Sequence, residues 1–178
     1  MQSIWNDIKK PEFDTLYGDI KTDVLVIGGG LCGILCAYML KNAGVDCVVA
    51  EADRICSRIT NGTTAKITLQ HGIIYDSIIK KYGEQNAYLY YKSQKEALDK
   101  LFSLASSVDC DLQKCNSFVY SLNNRGVIED EVKALNKIGT GAEFCEKTEL
   151  PFDVAGAVKV ANQGNFHPLK FAYAIGEN

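Results

Sequence analysis

The chain has 178 residues, of which 47% are hydrophobic and 23% charged, with a formal net charge of −3. That length supports one good core, or one domain and part of another, and the mild negative charge argues against nucleic acid or an anionic membrane as the main partner. No stretch approaches the roughly 18 apolar residues that a bilayer span needs, and the first ten residues lack the apolar stretch of a secretory signal, so the sequence predicts a soluble, cytoplasmic protein.

Residues 1–21 are expected to form an N-terminal extension that turns at Pro11 and packs its apolar residues Ile4, Trp5, Phe13, Leu16 and Tyr17 on the body. The next segment carries the most information. The apolar run Val24-Leu25-Val26-Ile27 leads into Gly28-Gly29-Gly30-Leu31-Cys32-Gly33, and Cys47-Val48-Val49-Ala50 closes on Glu51. This pattern reads as strand, tight turn, helix, second strand and terminal acid, the βαβ unit that binds dinucleotides. Gly28 allows the turn, Gly30 lets the backbone approach a pyrophosphate, and Gly33 lets the helix pack close to the strand. The helix N-terminus offers N–H groups and partial positive charge to the phosphates, and Glu51 can accept hydrogen bonds from a ribose. Ala37, the helical spacing of Ile34, Leu35, Tyr38 and Met39, and Gly44 as the helix stop agree with this reading.

Residues 52–72 form a polar, Thr/Ser-rich connection beside the carboxyl ends of the parallel strands, where ligands bind. A short helix is predicted over Ile73–Tyr82 with Gly83 as its stop. A long amphipathic helix follows over Glu84–Val108, buried along Ala87, Tyr91, Gln94, Leu98, Leu101, Ala105 and Val108. The cluster Tyr88, Tyr90 and Tyr91 fits helical core packing better than a stacking box. A strand over Ser117–Leu122, a turn at Asn123–Gly126, a helix through Ile128, Val132, Leu135 and Ile138 closed by Gly139, strand pieces at Glu143–Cys145 and Ala157–Ala161, and a last helix over Leu169–Ile175 opened by Pro168 complete the pass.

Seven cysteines, none in a Cys-x-x-Cys pair, read as reduced apolar residues. Cys32, beside a helix start, has a redox role as its alternative reading. Cys32 and Cys36 share a helical face, but no histidine stands near to complete a metal site, so no metal is expected. His71 and His167 read as loop or capping residues, with a place over a ligand ring the alternative for His71.

The βαβ unit together with Gly62-Thr63-Thr64-Ala65-Lys66-Ile67-Thr68-Leu69-Gln70-His71-Gly72 resembles FAD-dependent oxidoreductases of the D-amino-acid oxidase/glycine oxidase type. It is most similar to a bacterial subgroup in which the flavoprotein carries a C-terminal Rieske domain. Ala155-Gly156-Ala157-Val158 and Asn162 through Lys170 carry the resemblance through nearly all of the chain. The resemblance implies FAD as cofactor. It places Gly28, Gly30 and Gly33 at the pyrophosphate, Glu51 at the adenosine ribose, Arg54 beside the adenosine and Ser57 near the phosphates. Thr63, Thr64 and Ala65 would follow the cofactor toward the isoalloxazine, with Lys66 close to the ring. Read without the family, Lys66 is a solvated loop lysine. No Cys-x-His or Cys-x-x-His pair is present, so no Rieske ligand set is expected here.

The fold class expected is α/β, a Rossmann-like FAD-binding βαβ unit with part of an α+β substrate domain. Residues 1–21 would be the extension, 22–82 the first part of the FAD-binding domain, 83–163 a partial substrate domain and 164–178 a return segment. Members of the resembled family are longer, so the sequence reads as an N-terminal fragment, inactive alone and prone to self-association through surface that missing strands would cover. The function expected of the whole is hydride transfer from an amine, amino acid or related small molecule to flavin, by catalytic residues the sequence does not identify. The alternatives are an NAD-dependent dehydrogenase, which Glu51 also permits, and a non-catalytic dinucleotide-binding module.

Overall fold

A computed structural model describes residues 3–177, which divide into two compact units. The first holds the chain through Ala65, Ala105–Leu112, and the segment from Phe166 onward; the second holds Lys66–Leu104 and Gln113–Asn165. The expected boundaries lay elsewhere, with 66–82 counted in the first domain and 105–112 in the second. The difference has a packing cause within the second unit. Ile73, Ile74, Ile78 and Ile79 surround the buried Tyr75 and pack with it on a core of Ile128, Leu135 and Val158, so the segment before Tyr82 belongs to that core.

In the first unit, β1 (Val24–Ile27) pairs in parallel with β2 (Cys47–Ala50), Val24 opposite Cys47 and Ile27 opposite Ala50. The crossover is α1 (Leu31–Asn42), which packs against β1 and β2. The helix ends where its glycine stop predicts. Gly44 takes a left-handed φ of +75°, its N–H donates to the Lys41 carbonyl, and the Val45 N–H donates to the Leu40 carbonyl. That pair of bonds satisfies carbonyls the last turn leaves open. The final helix, assigned in chain order as α5 (Pro168–Gly176), lies against α1 and buries Leu169, Phe171, Ala172, Tyr173 and Ile175. Pro168 occupies its first turn, and His167 Nδ1 accepts the Lys170 N–H as N-cap. The N-terminal extension corrects the expectation that all its apolar residues pack on the body: Trp5 does, against His167, whereas Ile4, Phe13, Leu16 and Tyr17 are exposed. Ile4 is 80% and Tyr17 83% exposed, and Trp5, in the 3-10 turn Ile4–Asn6, is held by its indole N–H on the Thr63 carbonyl.

In the second unit, β3 (Lys66–Ile67), β4 (Gln113–Ser121) and β5 (Glu143–Cys145) all pair antiparallel with the long β6 (Gly156–Asn165). Gly164 faces Ile67 on one side and Lys114 on the other, so β6 is an inner strand with β4 along one edge. The segment read as a connection over 52–72 therefore contains a two-residue strand, Lys66–Ile67. Of the helices α2 (Tyr75–Tyr82), α3 (Glu84–Ala105) and α4 (Arg125–Lys137), α4 packs on β4, β5 and β6 and α2 packs on α4, while α3 adds Ala87 to the same core. Asn124 caps α4 by accepting the Val127 N–H, so the residues read as a turn already begin the helix. Tyr90 and Tyr91 pack on the core, whereas Tyr88 stays largely exposed.

The N-terminus of α2 has no cap from its own chain segment. The carboxylate of Glu131, 1% exposed on α4, fills that role. Its Oε1 accepts the N–H groups of Ile74 and Tyr75 at 3.0 and 2.9 Å, and its Oε2 accepts that of Asp76 at 2.9 Å. A buried charge is tolerated here because three donors and the helix dipole replace its water. Among the described residues no helix is long and apolar enough to cross a membrane, and no cluster of three metal-ligating side chains is found. All seven cysteines are free thiols.

Two outcomes follow from these caps. Glu131→Ala leaves three donors short of an acceptor and should lower unfolding stability by roughly 3 kcal/mol in urea titrations, with Glu131→Gln costing less. His167 is held below its ordinary value by burial first and the Lys170 charge second, with Asp111 opposing. The unfolded chain therefore takes up that proton more readily. Stability from this group is full above about pH 6.5 and falls as pH drops toward the folded value. Thermal unfolding of His167→Asn across that range should show a flatter dependence than the parent.

Candidate functional site

The site is built on the turn between β1 and α1. Gly28 adopts φ +104°, a conformation open to glycine and costly for other residues, and its N–H donates to the Ala50 carbonyl at the end of β2. Gly33 has a different reason to be glycine. A Cβ there would stand 2.0 Å from the Gly28 carbonyl oxygen, so α1 can approach the turn only without a side chain. Gly29, which the glycine fingerprint does not name, is also constrained, though less severely, since its Cβ would meet the Ile55 Cγ2 methyl at 2.8 Å.

Gly30 obeys none of these requirements. It is the N-cap of α1 with φ −78° and ψ 178°, ordinary extended backbone. A Cβ added to it would meet nothing nearer than Thr60 Oγ1 at 3.6 Å, an ordinary contact. The protein itself leaves space over Gly30. A helix beginning with glycine also has no side chain to cap it, and none of its own does.

Glu51 is fixed by backbone donors. Its Oε2 accepts the Gly29 N–H at 2.7 Å and its Oε1 accepts the Asp53 N–H at 3.1 Å. The Gly29 bond, ahead of that from Asp53, holds the carboxyl below the usual range. Both oxygens keep a second lone pair for a ligand hydroxyl. Glu51 and Arg54 line a cavity of about 780 Å³ together with Tyr38, Val49, Phe13 and Ile175, a volume within the range of small-molecule sites.

The other residues singled out in sequence are spread along the following loop. Ser57 is exposed and donates its hydroxyl to Asp53 at 3.3 Å. Thr63 is half-buried, and its Oγ1 accepts the Ala65 N–H. Thr64 is exposed. Ala65 is buried with a left-handed φ of +58°. Lys66 is exposed and opens β3 in the second unit, opposite Asn165. His71 lies in that unit too, its Nε2 within 3.2 Å of Gln94 Oε1.

Two residues escaped the sequence reading. Thr60, 8% exposed, accepts the Leu31 N–H at 3.1 Å and so caps α1 from a distant loop. The sequence signal was indirect, a helix starting at glycine and needing a hydroxyl from elsewhere. Cys56 has φ +58° and is 3% exposed. Its N–H donates to the Gly29 carbonyl at 2.9 Å, and burial pushes its thiol up to about 11, which makes it a neutral packing group rather than a nucleophile.

Comparison with known proteins decides the family. The model described as DAO, FAD dependent oxidoreductase, matches residues 23–177. The chain belongs to this family. It is 34% identical over 171 residues to YhfW of Bacillus subtilis (strain 168), a protein named for a Rieske 2Fe-2S centre, covering 94% of this chain and 34% of that one. It is 29% identical over 179 residues to gamma-glutamylputrescine oxidoreductase of Escherichia coli (strain K12), covering 95% and 41%. The chain thus spans between a third and a half of the length of these relatives. Among solved structures, L-proline dehydrogenase from P. horikoshii superposes with a TM-score of 0.69 at 18% identity, covering 88% of this chain and 41% of that one. Glycine oxidase from Geobacillus kaustophilus does so with 0.64 at 17%, covering 87% and 43%. These likenesses establish the Rossmann-like fold, and the family's cofactor is FAD.

The residues present fit that cofactor. The room over Gly30 would admit a phosphate, the start of α1 lacks a side chain of its own to neutralise it, and Asn61 Oδ1 is a buried acceptor without a partner. The two glycines should separate by experiment. Gly33→Ala forces backbone apart and should destabilise the fold by about 3 kcal/mol, at the upper end of overpacking costs. Gly30→Val should cost the apoprotein about 1 kcal/mol, as an apolar residue at an N-cap does, well short of the Gly33→Ala loss, while abolishing FAD binding in a titration. Retained FAD affinity in Gly30→Val would displace the phosphates from this turn.

Proposed function

We propose that the chain supplies the adenosine and pyrophosphate half of an FAD site in an oxidoreductase acting on an amine, amino acid or related small molecule. The observation that carries this reading is Gly30, a glycine that neither backbone angle nor packing demands. Its missing side chain is explained by something approaching from outside the protein, and a pyrophosphate at a helix N-terminus is the ligand that this geometry favours. Glu51 would hold the adenosine ribose through its remaining lone pairs, and Arg54 would flank the adenosine from the rim of the cavity both residues line.

Thr60 would share the first turn of α1 with the phosphates, since its hydroxyl can donate its own proton outward while accepting the Leu31 N–H. Ser57 would stand near the phosphates, and Thr63, Thr64 and Ala65 would lead the cofactor toward its ring. Lys66 would supply positive charge near the flavin. FAD would contribute the two-electron acceptor that takes a hydride from the substrate carbon. This chain's own part is to bind and orient that cofactor. Family membership favours FAD over the nicotinamide alternative. Seven free thiols support placing the protein in a reducing, cytoplasmic compartment.

The proposal is tested by refolding or expressing the protein with FAD and measuring retained flavin absorption after gel filtration. Bound flavin in the parent, with much weaker retention in Glu51→Ala, is the expected result. Equal retention by both proteins would remove Glu51 from the ribose site, and absence of flavin from the parent would overturn the function. An amine and amino-acid panel, read by anaerobic bleaching of the flavin, then tests the substrate class.

A further inference from the structure

The extension before β1 makes contacts that neither the βαβ unit nor the family fingerprint explains. The 3-10 turn Ile4–Asn6 holds Trp5, the one tryptophan of the chain. Its indole Nε1–H donates to the Thr63 carbonyl at 3.0 Å. Two residues earlier, the Ser3 hydroxyl donates to the Asn61 carbonyl, and it also accepts the Trp5 backbone N–H at 3.2 Å. On its other side the indole meets the His167 imidazole edge to face, with ring centroids 5.1 Å apart. His167 is the N-cap of α5. One side chain therefore ties the loop at Asn61–Thr63 to the start of α5.

We infer that Trp5 is a positioning residue, and that the Ser3–Trp5 turn is a clasp that keeps the 60–65 loop in its cofactor-binding shape. This inference rests on the proposed function for its ligand but on the contacts above for the clasp itself. The loop needs such a restraint. Thr60, at its start, must keep its hydroxyl on the Leu31 N–H. Ala65, at its end, holds a left-handed backbone that alanine disfavours. Between them, the carbonyls of Asn61 and Thr63 are the groups the clasp takes. With its carbonyl thus bound, Asn61 leaves only its side-chain Oδ1, buried and unpartnered, for a ligand donor. A loop released at Asn61 and Thr63 would carry Thr60 away from the helix end where the phosphates are proposed to bind. The clasp acts through this loop; Trp5 is given no contact with substrate or cofactor.

The single tryptophan makes the test direct. In the full chain, one indole N–H resonance is expected, protected from solvent exchange and shifted by its hydrogen bond. Hydrogen exchange of the 60–65 amides, measured without FAD, should accelerate about fivefold or more in Trp5→Ala, the factor that loss of one net hydrogen bond gives. Trp5→Phe keeps a ring against His167 but loses the donor. It should fold normally, with unchanged exchange in β1 and α1, yet show faster exchange at 60–65 and faster FAD dissociation. Ser3→Ala should show a smaller change in the same segment. An indole N–H that exchanges freely in the parent, or 60–65 exchange unchanged in Trp5→Phe, would overturn the clasp even if FAD binds. Faster loop exchange in Trp5→Phe with an unaltered FAD dissociation rate would overturn its role toward the cofactor. If the parent binds no FAD at all, the proposed function fails while the exchange measurement still decides the clasp.

Discussion

The close approach of α1 to the turn that precedes it governs the first unit. The Gly28 carbonyl occupies the place where a Gly33 side chain would begin, so the first turn of the helix rests directly on backbone. Once that contact is made, the direction of the helix and its exposed N–H groups is set by the β1 strand rather than by side-chain packing. The surrounding loop then locks the turn by bonds to one residue. Gly29 donates its N–H to Glu51 and accepts the Cys56 N–H at its carbonyl. The peptide groups around Gly29 are thus tied to the end of β2 and to the loop after it, and none of this depends on a flexible side chain except Glu51 itself.

Within this turn the four glycines serve different ends. Gly28 is needed for its backbone angle, and Gly29 and Gly33 for the space that their neighbours occupy. Gly30 is needed for neither. As the N-cap of α1 it is better than alanine would be, but a hydroxyl or amide side chain would cap the helix as well or better, and nothing nearer than Thr60 Oγ1 at 3.6 Å stands against a Cβ there. A glycine at that position leaves the backbone open to close approach, which the proposed pyrophosphate site would use.

The βαβ unit was legible because its signals are local. Strand hydrophobicity, glycine spacing and a helix stop all lie within Val24 to Glu51, and the structure places each where its own chemistry directs. Much of the second unit was less legible. The four residues that open β4, Gln113 to Asn116, are all exposed and only Cys115 among them is apolar, so they lack the alternation that marks a half-buried strand. Their pairing comes from β6, some 50 positions later, and includes an irregular register between Cys115 and Ser117. The two residues of β3 likewise become a strand only through Gly164 and Asn165. Glu131 reads as one more polar residue of an amphipathic helix, and only the fold reveals that three amides of a separate helix surround it. In the site, Glu51 was legible from its place at a strand end. Thr60 was not, because its partner at Leu31 is 29 residues away.

Electrostatics sharpens the choice of ligand. An anion bound at the start of α1 sits near a second anion, Glu51, and the two must not compete for the same donors. The structure separates them. Glu51 takes the Gly29 and Asp53 N–H groups, on the β2 side of the turn, and Thr60 takes the Leu31 N–H without bringing any charge to the helix end. That division would leave the positive end of the helix to a phosphate and the carboxylate to neutral hydroxyls, as the proposed site requires. A ligand with a phosphate on its ribose would place like charges together beside Glu51, where the carboxyl is held ionised by its two backbone donors. A pyrophosphate joined to an unphosphorylated ribose meets both demands at once. In the proposed site the carboxylate that ties the turn to β2 would also read the sugar, so a change at position 51 would alter the shape of the phosphate site and its selectivity together.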